Sequence, residues 1–187
     1  ETIAKTELKL EALINARKWL LLGCLIGQRA GDLLNITEQN IKVINGMTLI
    51  ELKQEKTGKL VAIPLIPAEK NIVEGGLPYK IGLEKFNKYS KMICELAKID
   101  SLVRGKMRID GKRTLTSGKY EKWKVISSHV CRRSFATNYY GKIPTSVLMQ
   151  ITAHGTEEVF LKYIGKTTYE NAHQMLEYFS KLPTTEI

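Results

Sequence analysis

The dipeptide Asn45-Gly46 constrains this chain more than any other feature. Asn and Gly both tolerate positive φ, and the pair between apolar segments is a strong short-range signal for a two-residue β-hairpin. Ile41 to Ile44 and Met47 to Leu52 flank it and read as its strands. Lys56-Thr57-Gly58-Lys59 reads as a second tight turn, which returns a third strand over Leu60 to Leu65, stopped by Pro64 and Pro67. The chain therefore contains a small three-stranded antiparallel sheet.

Around the sheet the apolar period is helical. Thr6 to Ile26 reads as one helix, with Leu10, Leu13, Ile14, Leu20 and Leu21 near helical spacing and no Gly or Pro before Gly23. A short helix is expected from Arg29 to Leu34. Gly82 to Ile99 reads as another, with Leu83, Phe86, Tyr89, Ile93, Leu96 and Ala97 as its stripe. Arg104 to Lys124 is rich in Lys, Arg and Gly, and Asp110-Gly111 and Ser117-Gly118 mark turns, so it is expected to be basic, exposed and irregular. Ser127 or Ser128 can cap a helix to about Tyr139. Pro144 suits the first turn of the next helix, and Thr156 with Glu157 and Glu158 starts another. Thr167 with Glu170 fits a capping box for a last helix to about Lys181, with Ala172, Met175, Leu176 and Phe179 on one face. No repeat or domain-sized linker interrupts residues 1–187. The expected fold class is α+β, mainly helical with the one small sheet, in a single domain.

Hydrophobic residues at 43% and charged residues at 26% fit a globular chain. Lys and Arg number 29 against 19 Asp and Glu, a net charge of +10, which points to a polyanionic partner, nucleic acid or an anionic membrane surface. Cys24, Cys94 and Cys131 are odd in number and widely spaced, which excludes a disulfide framework and a Cys-x-x-Cys metal pair. Trp19 to Gly27 is the longest apolar run and is too short to span a bilayer. Glu1 to Lys9 does not resemble a signal peptide. A soluble, cytoplasmic protein with reduced thiols is expected.

Polar residues suited to chemistry are scattered along the chain, and each has a bland alternative. Arg29 and Asp32 lie three apart after Gly27-Gln28, within reach on one helical face, as in a surface ion pair. Lys56 sits on a turn between strands, where lysines are usually only solvated. His129 and Arg132, three apart near a helix start, would place an imidazole beside a guanidinium, and Arg133 next to them suggests one basic helix face. A lone His154 is more often structural than catalytic, and Tyr163 within Phe160-Leu161-Lys162-Tyr163-Ile164 is the pattern of a half-buried core tyrosine.

Order and spacing carry more than the parts. The series Arg29, Lys56, His129, Arg132, His154, Tyr163 resembles the phage integrase, or tyrosine recombinase, family, which carries Arg, Lys, His-x-x-Arg, His or Trp, then Tyr in this order. Lys56-Thr57-Gly58 is similar to the family's Lys-Thr-Gly hairpin, Tyr163 follows His154 by the same nine positions, and Arg132-Arg133-Ser134-Phe135-Ala136-Thr137 is similar as well. The likeness runs from about Leu8 to Tyr178. Ala153 stands where the family usually has Gly, and Asp32 where it more often has Glu. Residues Gly141 to Thr145 are similar to the Bacteroides-type mobile-element branch.

The resemblance implies the tyrosine recombinase catalytic fold, Tyr163 as nucleophile and a covalent 3′-phosphotyrosine. It implies Arg29 and Arg132 on the phosphate oxygens, His129 and His154 as hydrogen-bond and proton groups, Lys56 as general acid for the 5′-oxygen, and Asp32 in support. It implies no metal and no cofactor, double-stranded DNA as partner, and a homotetramer on DNA with the isolated domain monomeric. It also implies an amino-terminal DNA-clamping domain outside this chain. Arg104, Lys106, Arg108, Lys112, Arg113 and Arg133 are expected to contact DNA. Other readings of the same residue set are a type IB topoisomerase and a DNA-binding regulator with a vestigial site.

Overall fold

The computed structural model describes residues 2–73, 76–108, 114–166 and 168–180. The chain opens with one helical turn, α1 (Thr2–Lys5), and then the central helix α2 (Glu11–Ile26). The single helix expected from Thr6 is thus two pieces. Arg17 of α2 reaches back and donates to the carbonyls of Ala4 and Thr6. Those carbonyls are satisfied by a side chain, so the chain can turn instead of continuing the helix. Leu13, Ala16, Trp19, Leu20, Leu22 and Ile26 of α2 are all buried, because packing surrounds this helix on several sides. It stops at Gly27, whose φ of 68° is the left-handed conformation that favours glycine.

Helix α3 (Ala30–Leu34) and a 3₁₀ turn (Glu38–Asn40) lead into the sheet of β1 (Ile41–Ile44), β2 (Met47–Lys53) and β3 (Leu60–Pro64), in the order β1-β2-β3. Ile44 pairs with Met47 across the expected hairpin, and Asn45 and Gly46 take φ of 51° and 77°, as a primed turn requires. Lys53 pairs with Leu60 across the second turn. Next come α4 (Pro67–Val73), which was not expected, and α5 (Leu83–Leu96). Phe86 and Ile93 of the expected stripe are buried in α5, whereas Leu83 and Leu96 at its two ends are exposed.

The segment expected to be irregular is instead an antiparallel ribbon, β4 (Leu102–Arg108) and β5 (Leu115–Glu121), followed by one turn, α6 (Lys122–Val125). Strand exposure alternates along the ribbon. Val103, Gly105 and Met107 share the half-buried face, while Leu102, Arg104, Lys106 and Arg108 face outward. Gly118, which with Ser117 read as a turn signal, is instead the cross-strand partner of Gly105. A β-carbon on Gly105 would come within 2.9 Å of the Val125 side chain, so the glycine permits close packing of α6 and does not break the strand.

The remaining helices are α7 (His129–Tyr139), α8 (Thr145–Thr152), α9 (Glu157–Ile164) and α10 (Thr168–Phe179). Ser128 precedes α7 but its side chain caps nothing. Its backbone is already helical (φ −53°, ψ −22°), so the hydroxyl is not aimed at the open N–H groups, and its own N–H donates to Asn87 of α5 at 2.7 Å. Pro144 stands immediately before α8 as its cap residue. Thr156 does cap α9, accepting from the Val159 N–H at 3.3 Å. The Thr167–Glu170 capping box lies outside the described residues.

Two apolar clusters form the interior. The larger surrounds α2, with Trp19, Leu20, Ile26, Leu33, Ile50, Phe86 and Ile93. The smaller holds Phe135, Ala136, Leu148, Phe160 and Ile164 from α7, α8 and α9. Ile151 packs against both. The face of α10 belongs to neither: Met175, Leu176 and Phe179 are 56%, 64% and 54% exposed. No helix among the described residues is long and apolar enough to cross a membrane.

Candidate active site

At the seam between the clusters the break after α2 determines where Arg29 points. Gly27 is left-handed and Arg29 is extended (φ −64°, ψ 152°), so Arg29 precedes α3 instead of lying on its face. The expected pairing of Arg29 with Asp32 along one helix therefore does not form. Arg29 instead donates to Gln54 Oε1 at 3.5 Å. Asp32 accepts from the Glu55 N–H at 2.8 Å and so holds the base of the Lys56 turn. Its second carboxylate oxygen is buried without a hydrogen-bond partner among the described residues.

Helix α7 brings Arg132 inward. It is only 5% exposed and donates to the Gly27 carbonyl at 3.3 Å. A β-carbon on Gly27 would meet the Phe135 ring at 2.3 Å, so this glycine is needed for close approach as well as for its φ. Burial, and then the neighbouring Arg29, bring the Arg132 pKa down to about 10, partly opposed by Tyr163 and Asp32. The guanidinium therefore remains charged at neutral pH. Among the described residues no carboxylate forms an ion pair with Arg29 or Arg132. Two adjacent guanidiniums, neither held in a direct ion pair, make an anion site that the nearby Asp32 only partly offsets.

His154 follows Ala153, which ends α8 in the left-handed conformation (φ 45°, ψ 49°). The Thr152 hydroxyl donates its proton to the Leu148 carbonyl. Its oxygen is then an acceptor for His154 Nδ1 at 2.9 Å, which assigns the proton to Nδ1 and leaves Nε2 with a lone pair. Burial, then Arg132 and Arg29, push His154 down to about 4, so the imidazole is neutral at pH 7. Its ring lies 4.9 Å from that of Tyr163, centroid to centroid. The Tyr163 hydroxyl is buried and has no hydrogen-bond partner among the described residues. Burial raises its pKa above the usual value, outweighing Arg132, Arg133 and Arg29, which pull it down.

Arg29, Arg132, His154 and Tyr163, from four separate segments, thus form one electrostatic unit. Lys56 and His129 are exposed at its edge, on the hairpin tip and at the first position of α7, and neither makes a hydrogen bond or ion pair with a described residue. Among the residues expected to contact DNA, Arg104, Lys106 and Arg108 share the outer face of β4, with Lys119 opposite Arg104. Arg133 is exposed on α7, and with Arg104 and Lys122 it lines a cleft of about 550 Å³ at the foot of the ribbon. Lys112 and Arg113 lie outside the described residues. Among the described residues no group of three or more His, Cys, Asp or Glu side chains is placed to hold a metal ion.

The chain matches the phage integrase family over residues 4–169. It belongs to that family. No curated protein matches it. Solved structures of similar fold include the XerH site-specific recombinase bound to difH substrate, at TM-score 0.60 and 17% identity over 97% of this chain and 50% of that one. A lambda integrase dimer bound to a COC′ core site matches at TM-score 0.57 and 16% identity, over 92% of this chain and 45% of that one. The Tn1549 transposon integrase in complex with transposon right end DNA matches at TM-score 0.62 and 11% identity, over 96% of this chain and 63% of that one. The chain thus spans 45–63% of the length of these solved structures. Its mainly helical fold with a small antiparallel sheet is the tyrosine recombinase catalytic fold.

Sequence reasoning missed two residues of this site, Gln28 and Gln54, which are both fully buried at 0% exposure. One signal was available. Ile50, Leu52 and Gln54 follow the period of a strand, and Ile50 and Leu52 are its inward residues. A glutamine in that register must be hydrogen-bonded inside the protein.

Proposed function

We propose that this chain is the catalytic domain of a site-specific tyrosine recombinase that cuts and rejoins double-stranded DNA through a covalent 3′-phosphotyrosine at Tyr163. The observation that carries the reading is the single unit of Arg29, Arg132, His154 and Tyr163, two guanidiniums without a direct ion-pair partner beside a phenol and an imidazole. Guanidiniums fork onto phosphate oxygens and stabilise the charge that builds up in the phosphorane. Tyr163 Oη attacks phosphorus, the P–O5′ bond breaks, and Lys56 on the hairpin tip protonates the departing 5′-oxygen. His129, at the edge of the site, donates a hydrogen bond to the phosphate. One ester replaces another, so rejoining is the reverse reaction and needs no nucleotide cofactor. An unperturbed tyrosine, with a pKa of about 10, is ionised in only about one molecule in a thousand at pH 7. Burial raises Tyr163 further, so its proton leaves during attack, and His154 Nε2 is the nearby lone pair able to take it. The outer face of the ribbon and Arg133 contact the DNA backbone. The cations do the work of a metal, and cleavage is metal-independent.

The test is a covalent-adduct assay on nicked duplexes tiled across the DNA that flanks the gene. Tyr163→Phe should abolish the protein–DNA band while changing affinity little, and wild-type adduct should persist in excess EDTA. An undiminished band from Tyr163→Phe rules out the nucleophile. Loss in EDTA with recovery in Mg²⁺ rules out the metal-independent mechanism.

A further inference from the structure

Gln54 is a neutral amide in the interior whose hydrogen-bonding positions are all taken. Its Nε2 donates to Gln28 Oε1 at 2.7 Å and to the Ile151 carbonyl at 2.9 Å. Its Oε1 accepts from Thr57 Oγ1 at 2.9 Å and from Arg29 Nη1 at 3.5 Å. A carbonyl can only accept and a guanidinium can only donate, so the orientation of the amide is determined by its partners. Its backbone closes the Lys56 turn: Gln54 N–H donates to the Lys59 carbonyl at 2.9 Å, and Gly58 N–H to the Gln54 carbonyl at 2.8 Å.

Three segments therefore meet on one side chain: the break that carries Arg29, the turn that carries Lys56, and the end of α8 that leads into His154. The amide's neutrality matters as much as its bonds. A carboxylate at this position would hold Arg29 equally well but would quench the charge that an incoming phosphate needs.

We infer that Gln54 is a positioning residue, which sets Arg29, the Lys56 turn and the His154 segment in one register and orients Arg29 without neutralising it. This rests on the reading in which those three groups act on a DNA phosphate. Gln28 supports Gln54 from the opposite side, donating to the Ile151 and Ile26 carbonyls at 3.2 Å each.

Gln54→Glu keeps the shape and changes the chemistry. The carboxylate pairs with Arg29 and gives up both N–H bonds. Adduct formation should slow by about 10²-fold or more, the scale of losing one preorganised donor, with DNA affinity little changed. His154 should also titrate above its wild-type value of about 4 in the free protein, read by NMR, because Arg29 is one of the two cations holding it down. Arg132 and Tyr163, the other groups facing it, are unaltered. A purely structural glutamine would lower Tm yet leave both the cleavage rate of the folded fraction and the His154 titration unchanged, and that result overturns the inference. Thr57→Val is a second, exposed variant that only frees the Lys56 turn from the amide. It should slow cleavage of ordinary DNA several-fold but spare a 5′-bridging phosphorothiolate, whose sulfur leaves without a proton. Wild-type rates on both substrates would equally overturn the inference. If wild-type protein forms no adduct at all, the recombinase reading fails, and the His154 titration still decides whether Gln54 holds Arg29.

Discussion

His154 and the residue before it show how much a site depends on a few torsions and charges. The folded pKa near 4 lies below the unfolded 6.5, so the unfolded chain takes up a proton first as pH falls. Stability attributable to this residue is complete above the unfolded value and is lost between pH 6.5 and 4. Urea denaturation across that window should show wild type losing stability faster than His154→Gln, and parallel curves would sink the assignment. Ala153 bears a different strain. A left-handed alanine costs about 1–2 kcal/mol, and glycine gives back roughly 0.4–1 kcal/mol of that through its more flexible unfolded state. Ala153→Gly should therefore stabilise the protein by about 0.5–1 kcal/mol in the same assay. No gain would mean that the torsion is not strained. Ala153 is a departure from the glycine usual in the family, and its backbone supplies the reason glycine is usual there.

At the scale of elements, the hairpins are legible in the sequence and the ribbon is not. Asn45-Gly46 acts through local backbone geometry, so its turn needs nothing from the rest of the chain. Ser117-Gly118 looks locally like a turn, and only pairing with β4 makes it strand, while at Gly105 the packing of Val125 of α6 leaves no room for a β-carbon. The ribbon's outer basic face leads to a salt prediction. For every phosphate that a variant no longer neutralises, the slope of log K against log salt should fall by about 0.9. Alanine at Arg104, Lys106 and Lys119 together should weaken binding to all duplexes alike and flatten the slope measured by fluorescence anisotropy. Weakening confined to one sequence would instead assign these side chains to base readout.

Over the whole molecule, neither apolar cluster includes a described side chain of α10. Met175, Leu176 and Phe179 are exposed, and we propose that this stripe docks on a second copy of the chain when copies assemble on DNA. Removing residues 167–187 should leave Tm and single-site DNA binding largely unchanged, but weaken cooperative assembly on paired sites in gel shifts. Unchanged cooperativity in a truncated protein that is still folded by circular dichroism would remove the stripe from assembly. A large fall in Tm would return α10 to its own domain.

The order Arg29, Lys56, His129, Arg132, His154, Tyr163 could be read from the chain because residue type and spacing are properties of the chain. The three-stranded sheet, the α+β class and most of the helices, though not α4 or the break before α2, follow from period and turn chemistry, which act over a few residues. What surrounds each of those side chains was decided only when distant segments met. Arg29 leaves Asp32 because Gly27 ends α2 and Arg29 is extended. Asp32 turns to the Glu55 backbone because the second hairpin folds over it. Gln54 joins three segments because strand register carries it inward to a carbonyl at Ile151, 97 residues away in sequence. Burial and the sum of nearby charges separate a neutral His154 from an ordinary histidine, and both are properties of the packed interior that no local stretch of sequence contains.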